Sequence, residues 1–222
     1  MKKIAIVFSF LFIFVFGCQK QEVQLPIIEI AGITEIQNHS SIWIFYDEQE
    51  GDETAILNKN NKIINTHWIF NIDKRLTMKT VVPHLSAMQE NRDKDSMHKK
   101  GDMLSYFSYA DTSLNQISLT PFPPVVFTAE EAEFDNQEMI EDTYLSVVEI
   151  TNEFIRLNDK MIDLQDLKSE LDALQHKFGV TNTLTRLKYN ENTEYQSYLQ
   201  TKVYLTANNI PNLPIEYMFS LN

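Results

Sequence analysis

The chain has 222 residues, a formal net charge of −12 at pH 7 and 43% apolar residues. This apolar content predicts a packed core rather than a disordered chain. The acidic balance argues against a nucleic-acid partner, because phosphates are bound by basic surfaces. Cys18 is the only cysteine, so no disulfide can form within the chain, and the five scattered glycines do not form a phosphate-binding loop. We predict no cofactor.

The N-terminus has the pattern of an export signal. Two lysines at positions 2 and 3 precede an apolar run over residues 4–16, which ends at Gly17-Cys18. A membrane-spanning helix needs about 20 apolar residues, and this run is shorter. We therefore predict a cleaved signal peptide over residues 1–17. An uncleaved membrane anchor is the alternative.

The residues around the predicted cut site carry a recognisable motif. Val15-Phe16-Gly17-Cys18 resembles the bacterial lipobox, although Phe16 is bulkier than the usual residue there. The resemblance implies cleavage after Gly17 and acyl chains on Cys18, which would hold the protein on a membrane. Residues 18–26 then form a tether. Gln19 lacks the acidic character associated with inner-membrane retention, so we expect an outer-membrane lipoprotein facing the periplasm.

Residues 27–122 are predicted to form a first α+β module. Its Ser41–Tyr46 segment is rich in β-branched and aromatic residues, which is typical of a strand. We expect Trp43 and Trp68, together with Phe45 and Phe70, to build the core of this module. A ligand-stacking platform is the alternative for the two tryptophans.

Two segments of the chain are similar to each other without a gap. Trp68–Met78 matches Phe154–Leu164, 86 positions later, in most of its apolar residues and in an Asp-Lys pair. Both segments are predicted to be a strand, a tight turn and a helix, which indicates two related modules. A chance similarity between two ordinary units is the alternative. Pro83 is unfavourable inside a helix, so the first helix is expected to begin near Val82 or to kink.

Residues 123–143, rich in proline and acidic residues, are predicted to connect the first module to a second one over residues 144–222. The apolar patterns of the second module predict the order strand, strand, helix, strand, helix, strand. Asn158-Asp159 is predicted to be a turn, Asp163 to cap the first helix, and Gly179 to end it.

This second module resembles the periplasmic domain of the ExbD/TolR family. The similarity lies in the segments Val147–Ile150, Phe154–Lys160, Leu164–Gln175, Leu187–Tyr195 and Ile210–Tyr217. It implies a β-β-α-β-α-β fold that binds a TonB-system protein or peptidoglycan. The motor role of that family requires a membrane helix carrying an aspartate, whereas residues 4–16 contain no acidic residue. We therefore expect a tethered binding module that does not couple protons.

No catalytic or metal-binding pattern emerges from the sequence. No two of the five histidines have the spacing that places two ligands on one helix face, and the many carboxylates are interpreted as solvated. The candidate binding residues are Trp43, Trp68, Tyr189 and Tyr195.

The sequence thus predicts a non-catalytic α+β envelope lipoprotein, held on the membrane by lipid and associated with a TonB-type transport or cell-wall system. An envelope hydrolase, or a small-ligand-binding lipoprotein with an unrecognised site, is the alternative. The sequence is compatible with either a monomer or a homodimer.

Overall fold

A computed structural model describes most of the chain after the predicted tether begins. The described residues are 22–47, 51–58, 61–63, 65–94, 103–131, 135 and 141–220. Cys18 and the predicted signal peptide, including Gly17, lie outside them. The described part contains two β-sheets and three α-helices, which confirms the α+β prediction.

The first half of the molecule consists of a five-stranded sheet and one helix. The strands are β1 (His39–Asp47), β2 (Gly51–Asn58), β3 (His67–Ile72), β4 (Ser105–Asp111) and β5 (Gln116–Phe122). Their order is β2-β1-β3-β4-β5, in which β1, β3 and β4 are parallel and the two edge strands are antiparallel. Helix α1 (Met78–Lys94) connects β3 to β4.

The second half consists of a six-stranded sheet and two helices. Its strands are β6 (Val126–Thr128), β7 (Thr143–Ile150), β8 (Ile155–Leu157), β9 (Lys160–Ile162), β10 (Asn182–Asn190) and β11 (Asn212–Phe219). The order is β6-β11-β10-β7-β8-β9, and only β8 and β9 are antiparallel to their neighbours. A 3-10 turn (Leu164–Asp166) leads into α2 (Leu167–Phe178), and α3 (Tyr195–Ala207) connects β10 to β11.

The predicted element order of the second half is present, with additions. Asn158 and Asp159 both have positive φ (46° and 70°), as expected of a tight hairpin turn, and this turn adds β9 before the helix. Gly179 ends α2 in the left-handed conformation at φ 64°. Asp163 precedes the 3-10 turn but makes no capping hydrogen bond with its side chain. β6 lies within the predicted connection and pairs with β11, so this part belongs to the second sheet.

Helix α1 begins at Met78, and the expected start near Val82 is wrong. Pro83 lies inside the helix with its ring exposed. The amides of Met78 and Lys79 donate to the carbonyls of Thr193 and Glu191, both at 2.8 Å. These tertiary bonds satisfy two amides that a helix start leaves without intrahelical partners, and so they help to fix the first turn.

The 86-residue register does not describe the structural repeat. It matches β3 with residues 153–158, which contain β8. However, β3 lies between two parallel neighbours, whereas β8 lies between two antiparallel ones. The topology instead equates β3–α1–β4 with β10–α3–β11, since each is a strand, a helix and a second strand parallel to the first.

Both halves contribute to one continuous hydrophobic core. Trp68 and Phe70 of β3 are each 1% exposed and lie in this core, as predicted. Phe107 of β4 meets Tyr195 of α3 edge to face at a centroid distance of 5.7 Å. Trp43 and Phe45 alternate with the buried residues of β1, are half-buried, and stack on each other. The two predicted modules therefore fold as one unit.

The segment that follows the predicted tether lies along the first half. The backbone amide of Gln24 donates to the Asp73 carboxylate, and its backbone carbonyl accepts from the Lys74 amide. Farther on, Ile33 forms an antiparallel bridge to Leu119 of β5. A Cβ on Gly32 would come within 2.6 Å of the Leu119 carbonyl oxygen, so a glycine fits this close approach. The end of the predicted tether is thus part of the fold.

Candidate functional site

The two halves meet at two strand-to-helix junctions, the first junction (residues 73–78) and the second junction (residues 190–195). Met78 N donates to Thr193 O at 2.8 Å, and Tyr195 N donates to Leu76 O at 2.7 Å. Each position of the first junction thus corresponds to the position 117 residues later. The two junctions are related by an approximate two-fold axis through the bridge between Thr77 and Glu194.

The first side chains of the two junctions differ in charge. Asp73 accepts from its own turn at the Arg75 amide (3.1 Å) and pairs with the Arg75 guanidinium through two bonds of 2.9 and 2.8 Å. At the equivalent place, Asn190 accepts from the Asn192 amide at 2.8 Å, but its Nδ2 finds no partner among the described residues. Burial raises the pKa of Asp73, but the bonds from Arg75 and Gln24 and the Arg75 charge outweigh it and lower that pKa below its ordinary value of 3.8.

The second half contains a buried polar cluster, which we call the Glu216 cluster (Tyr198, Lys202 and Glu216). Glu216 on β11 is fully buried, and Lys202 on α3 is 6% exposed. The Lys202 ammonium donates to Glu216 Oε1 at 2.8 Å, and the Tyr198 hydroxyl donates to Oε2 at 3.0 Å. The Glu216 carboxylate therefore accepts a hydrogen bond from each of the other two side chains in a site shielded from water.

Two further tyrosines lie against this cluster. The ring of Tyr198 lies 5.4 Å from that of Tyr189 and 6.3 Å from that of Tyr195. Burial, followed by the nearby Glu216 charge, raises the pKa of Tyr198 and Tyr189 well above the ordinary value, and burial alone does so for Tyr195. The hydroxyls of Tyr189 and Tyr195 have no hydrogen-bond partner among the described residues. The three phenols therefore remain protonated at neutral pH.

The first half has apolar residues where the second half has the Glu216 cluster. The positions equivalent to Tyr198 and Lys202 on α1 are Val81 and Leu85, both fully buried. Phe107 pairs with Phe70 of β3, and Glu216 pairs with Leu187 of β10. Leu187 is the position equivalent to Phe70, 117 residues later, so Phe107 and Glu216 are equivalent too. One backbone arrangement thus holds an apolar set in one half and a charged set in the other.

The accessible cavities of the second half adjoin one another along a groove. Three cavities of about 190, 680 and 440 Å³ are all lined by Asp163, and two of them also share Leu164 and Gln200. We call this surface the Asp163 groove. Its walls are the N-terminal segment at residues 27–30, the loop at 151–154 and the 3-10 turn, with α3 between them.

The lining of the Asp163 groove is acidic and rich in hydrogen-bonding groups. Glu29, Glu153 and Asp163 are exposed, and Lys160 is paired with Glu170 at 2.7 Å. Amide and hydroxyl groups of Asn152 and Ser197, among others, and the rings of Phe154 and Tyr204 complete the lining. Such a surface suits an uncharged or amine-bearing ligand with many hydroxyl or amide groups, and it disfavours anions.

The structure separates the four candidate binding residues. Trp68, Tyr189 and Tyr195 are at most 1% exposed and contribute to the core, so an external ligand does not reach their rings in this arrangement. Trp43 is half-buried on the opposite face of the first sheet. Only Tyr189 and Tyr195 come together, both around Tyr198.

Sequence reasoning missed the Glu216 cluster and the Asp163 groove. One signal was available for the cluster, because Lys202 falls one turn after Tyr198 on the apolar face of α3 and Glu216 falls in the middle of an apolar strand. The groove left no such signal, since its walls come from segments more than 100 residues apart.

Among the described residues, no three His, Cys, Asp or Glu side chains are grouped closely enough to hold a metal ion. No helix of the described part has both the length and the apolar character needed to cross a membrane. In comparisons with protein-family models, curated proteins and solved structures, no match to this chain was found.

Proposed function

We propose that this protein is a lipid-anchored envelope protein that acts by binding a partner in the Asp163 groove. The observation that carries the anchor is the Gly17-Cys18 motif, whose cysteine lies six positions before Gln24, a residue bonded to Asp73 and Lys74. A protein held this close to a bilayer would meet partners at the membrane surface.

The resemblance to ExbD/TolR periplasmic domains supplies the class of partner. The second half has the strand and helix order that the resemblance implies, with β6 and β9 added. We propose that the partner is cell-wall material or a protein of a TonB-type system. The amide, hydroxyl and carboxylate lining favours the glycan and peptide chemistry of peptidoglycan, which offers hydroxyl, amide and amine groups.

Labelling tests the anchor. Cells fed radiolabelled palmitate should incorporate label into the wild-type protein and not into a Cys18→Ala variant. Both proteins should be exported and made in similar amounts, which immunoblotting of the same fractions checks. An unlabelled wild-type protein contradicts the proposed anchor.

Photo-crosslinking in cells tests the groove. A photoreactive phenylalanine analogue at Gln200 lies in the groove, whereas the same residue at the exposed Ala207, farther along α3, lies outside it. We expect adducts with muropeptides or with a TonB-system protein from position 200 only. Equal adducts from the two positions, or none from position 200, would contradict binding in the groove.

A further inference from the structure

After the predicted anchor, the chain joins the fold at one end of the first half. Gln24 is bonded to Asp73 and Lys74, directly after β3. Gln24 lies six positions after Cys18, and a fully extended chain over six steps spans at most about 22 Å. Acyl chains on Cys18 therefore keep this end of the sheet close to the bilayer.

The turn between β4 and β5 projects from the same end. β4 runs parallel to β3, and the register brings Ala110 to the level of Asp73. Ala110 bonds to Pro26 and Ile28 of the N-terminal segment, so the turn at residues 112–115 begins beside the anchored segment and extends past it.

Three exposed apolar side chains lie at this end, which we call the anchor patch (Ile27, Leu114 and Ile117). They are 46%, 56% and 58% exposed, respectively. Ile27 and Ile117 flank Ala110 on its two sides, since Ile27 bridges to Ala110 and Ala110 pairs with Ile117. Leu114 lies in the turn itself, a position that usually carries a polar residue.

The Asp111 side chain satisfies donors of the turn itself. The Asp111 carboxylate is turned inward and is 1% exposed. It accepts from the Ser113 and Leu114 amides at 3.0 and 3.3 Å and from the Ser113 hydroxyl at 2.6 Å. Residues 112–115 carry no charge, and the Thr112 hydroxyl donates to the Glu29 carboxylate at 3.3 Å. Backbone donors satisfied in this way cost less to remove from water.

We propose that the anchor patch rests on the lipid bilayer and that Leu114 enters the boundary between headgroups and acyl chains. This inference rests on the proposed acylation of Cys18, which brings the patch within reach of the bilayer. It assigns the patch to lipid rather than to a protein partner, because the length of chain between Cys18 and Gln24 leaves little room for another occupant.

The experiment compares two leucines at opposite ends of β4. Leu104 precedes the strand and is 51% exposed, so Leu104→Cys is a matched control for Leu114→Cys. The strand between them separates the two positions by roughly 20 Å. Cys18 is the only natural cysteine, so in the acylated protein each variant offers a single thiol for the fluorophore NBD.

The labelled, acylated proteins are placed in vesicles of phosphatidylethanolamine and phosphatidylglycerol, with and without nitroxide-labelled acyl chains. We expect NBD at position 114 to shift to the blue and to lose intensity with the nitroxide lipid, whereas NBD at position 104 does neither. An unquenched probe at 114, or equal quenching at both positions, on protein that floats with the vesicles overturns this inference alone. Protein that does not float overturns the proposed anchor as well.

Discussion

The two strand-to-helix junctions share a backbone and differ in side-chain chemistry. In both, a strand turns into a helix whose first amides bond to the opposite junction, and the pairs of bonds repeat 117 residues apart. The first half places an ion-paired aspartate at the turn and apolar residues beneath the helix. The second half places an uncharged asparagine at the turn and the Glu216 cluster beneath the helix. The backbone arrangement therefore does not require the charged set.

This difference predicts that the charged set contributes little to stability. Removing two charges from water costs several kcal/mol per ion, and a buried pair is often no more stable than apolar residues of similar volume. The first half shows which apolar residues the same positions can hold, namely Val81, Leu85 and Phe107. The Asp163 groove is lined mainly by residues of the second half, so both special features involve that half.

The largest expected effect comes from breaking the Glu216 cluster. In Glu216→Ala, the Lys202 ammonium stays buried without its carboxylate and Tyr198 loses its acceptor. We expect a loss of about 3–5 kcal/mol in the free energy of unfolding, measured by urea denaturation.

The matched control transplants the apolar set of the first half. Tyr198→Val, Lys202→Leu and Glu216→Phe together keep the total side-chain volume similar. We expect this triple variant to be within about 1 kcal/mol of the wild type or more stable, because no charge remains buried. A triple variant as unstable as Glu216→Ala would show that the second half depends on its charged set for stability.

The next effect concerns the first junction, where Asp73→Asn copies the residue of the second. An amide offers one acceptor oxygen, so in either orientation a donor of Arg75 would face an NH2 group in place of an oxygen, and in one orientation the Gln24 backbone amide would as well. We expect a loss of about 1–3 kcal/mol at pH 7, measured by urea denaturation. The Arg75→Lys variant keeps the charge but not the two-bond geometry, and it should lose less.

The pH dependence gives an independent measurement of the same pair. The folded protein lowers the pKa of Asp73 below 3.8, so the carboxylate contributes its full stability above that value. The contribution disappears as the pH falls through the lowered pKa. The difference between wild type and Asp73→Asn should therefore shrink with falling pH below 3.8. A difference that stays constant would show that the Asp73 charge contributes nothing.

The local elements were predictable because their signals are local. The φ of Gly179 and the turn at Asn158-Asp159 follow from residue types that tolerate the left-handed conformation. The start of α1 was not predictable, because carbonyls more than 110 residues away fix its first turn at Met78. The repeat was assigned to the wrong register because Trp68–Met78 is more similar in sequence to Phe154–Leu164 than to its structural equivalent, Thr185–Tyr195.

The candidate site was less predictable than the fold. Tyr189 and Tyr195 were selected from a family resemblance, and the structure brings both against Tyr198 in the core. Glu216 lies between apolar residues of β11, and nothing in its strand indicates that Lys202 is its partner. The sequence thus shows two charged residues at apolar positions, but their pairing becomes visible only when the topology places β11 beneath α3.

The smallest expected effect comes from moving the ion pair into the second junction. Asn190→Asp alone places a carboxylate that is only slightly exposed at a junction whose own residues include no Lys or Arg, and Asn192→Arg alone adds an exposed cation two positions from an uncharged asparagine. In the double variant, the two side chains stand in the same relation as Asp73 and Arg75. We expect Asn190→Asp to lose stability and the double variant to recover part of it, with a coupling free energy of about 1 kcal/mol. Urea denaturation of all four proteins measures this coupling. A coupling of zero would mean that the side chains introduced at positions 190 and 192 do not interact, although they occupy positions equivalent to those of Asp73 and Arg75. The two junctions would then share their backbone geometry but not this side-chain interaction.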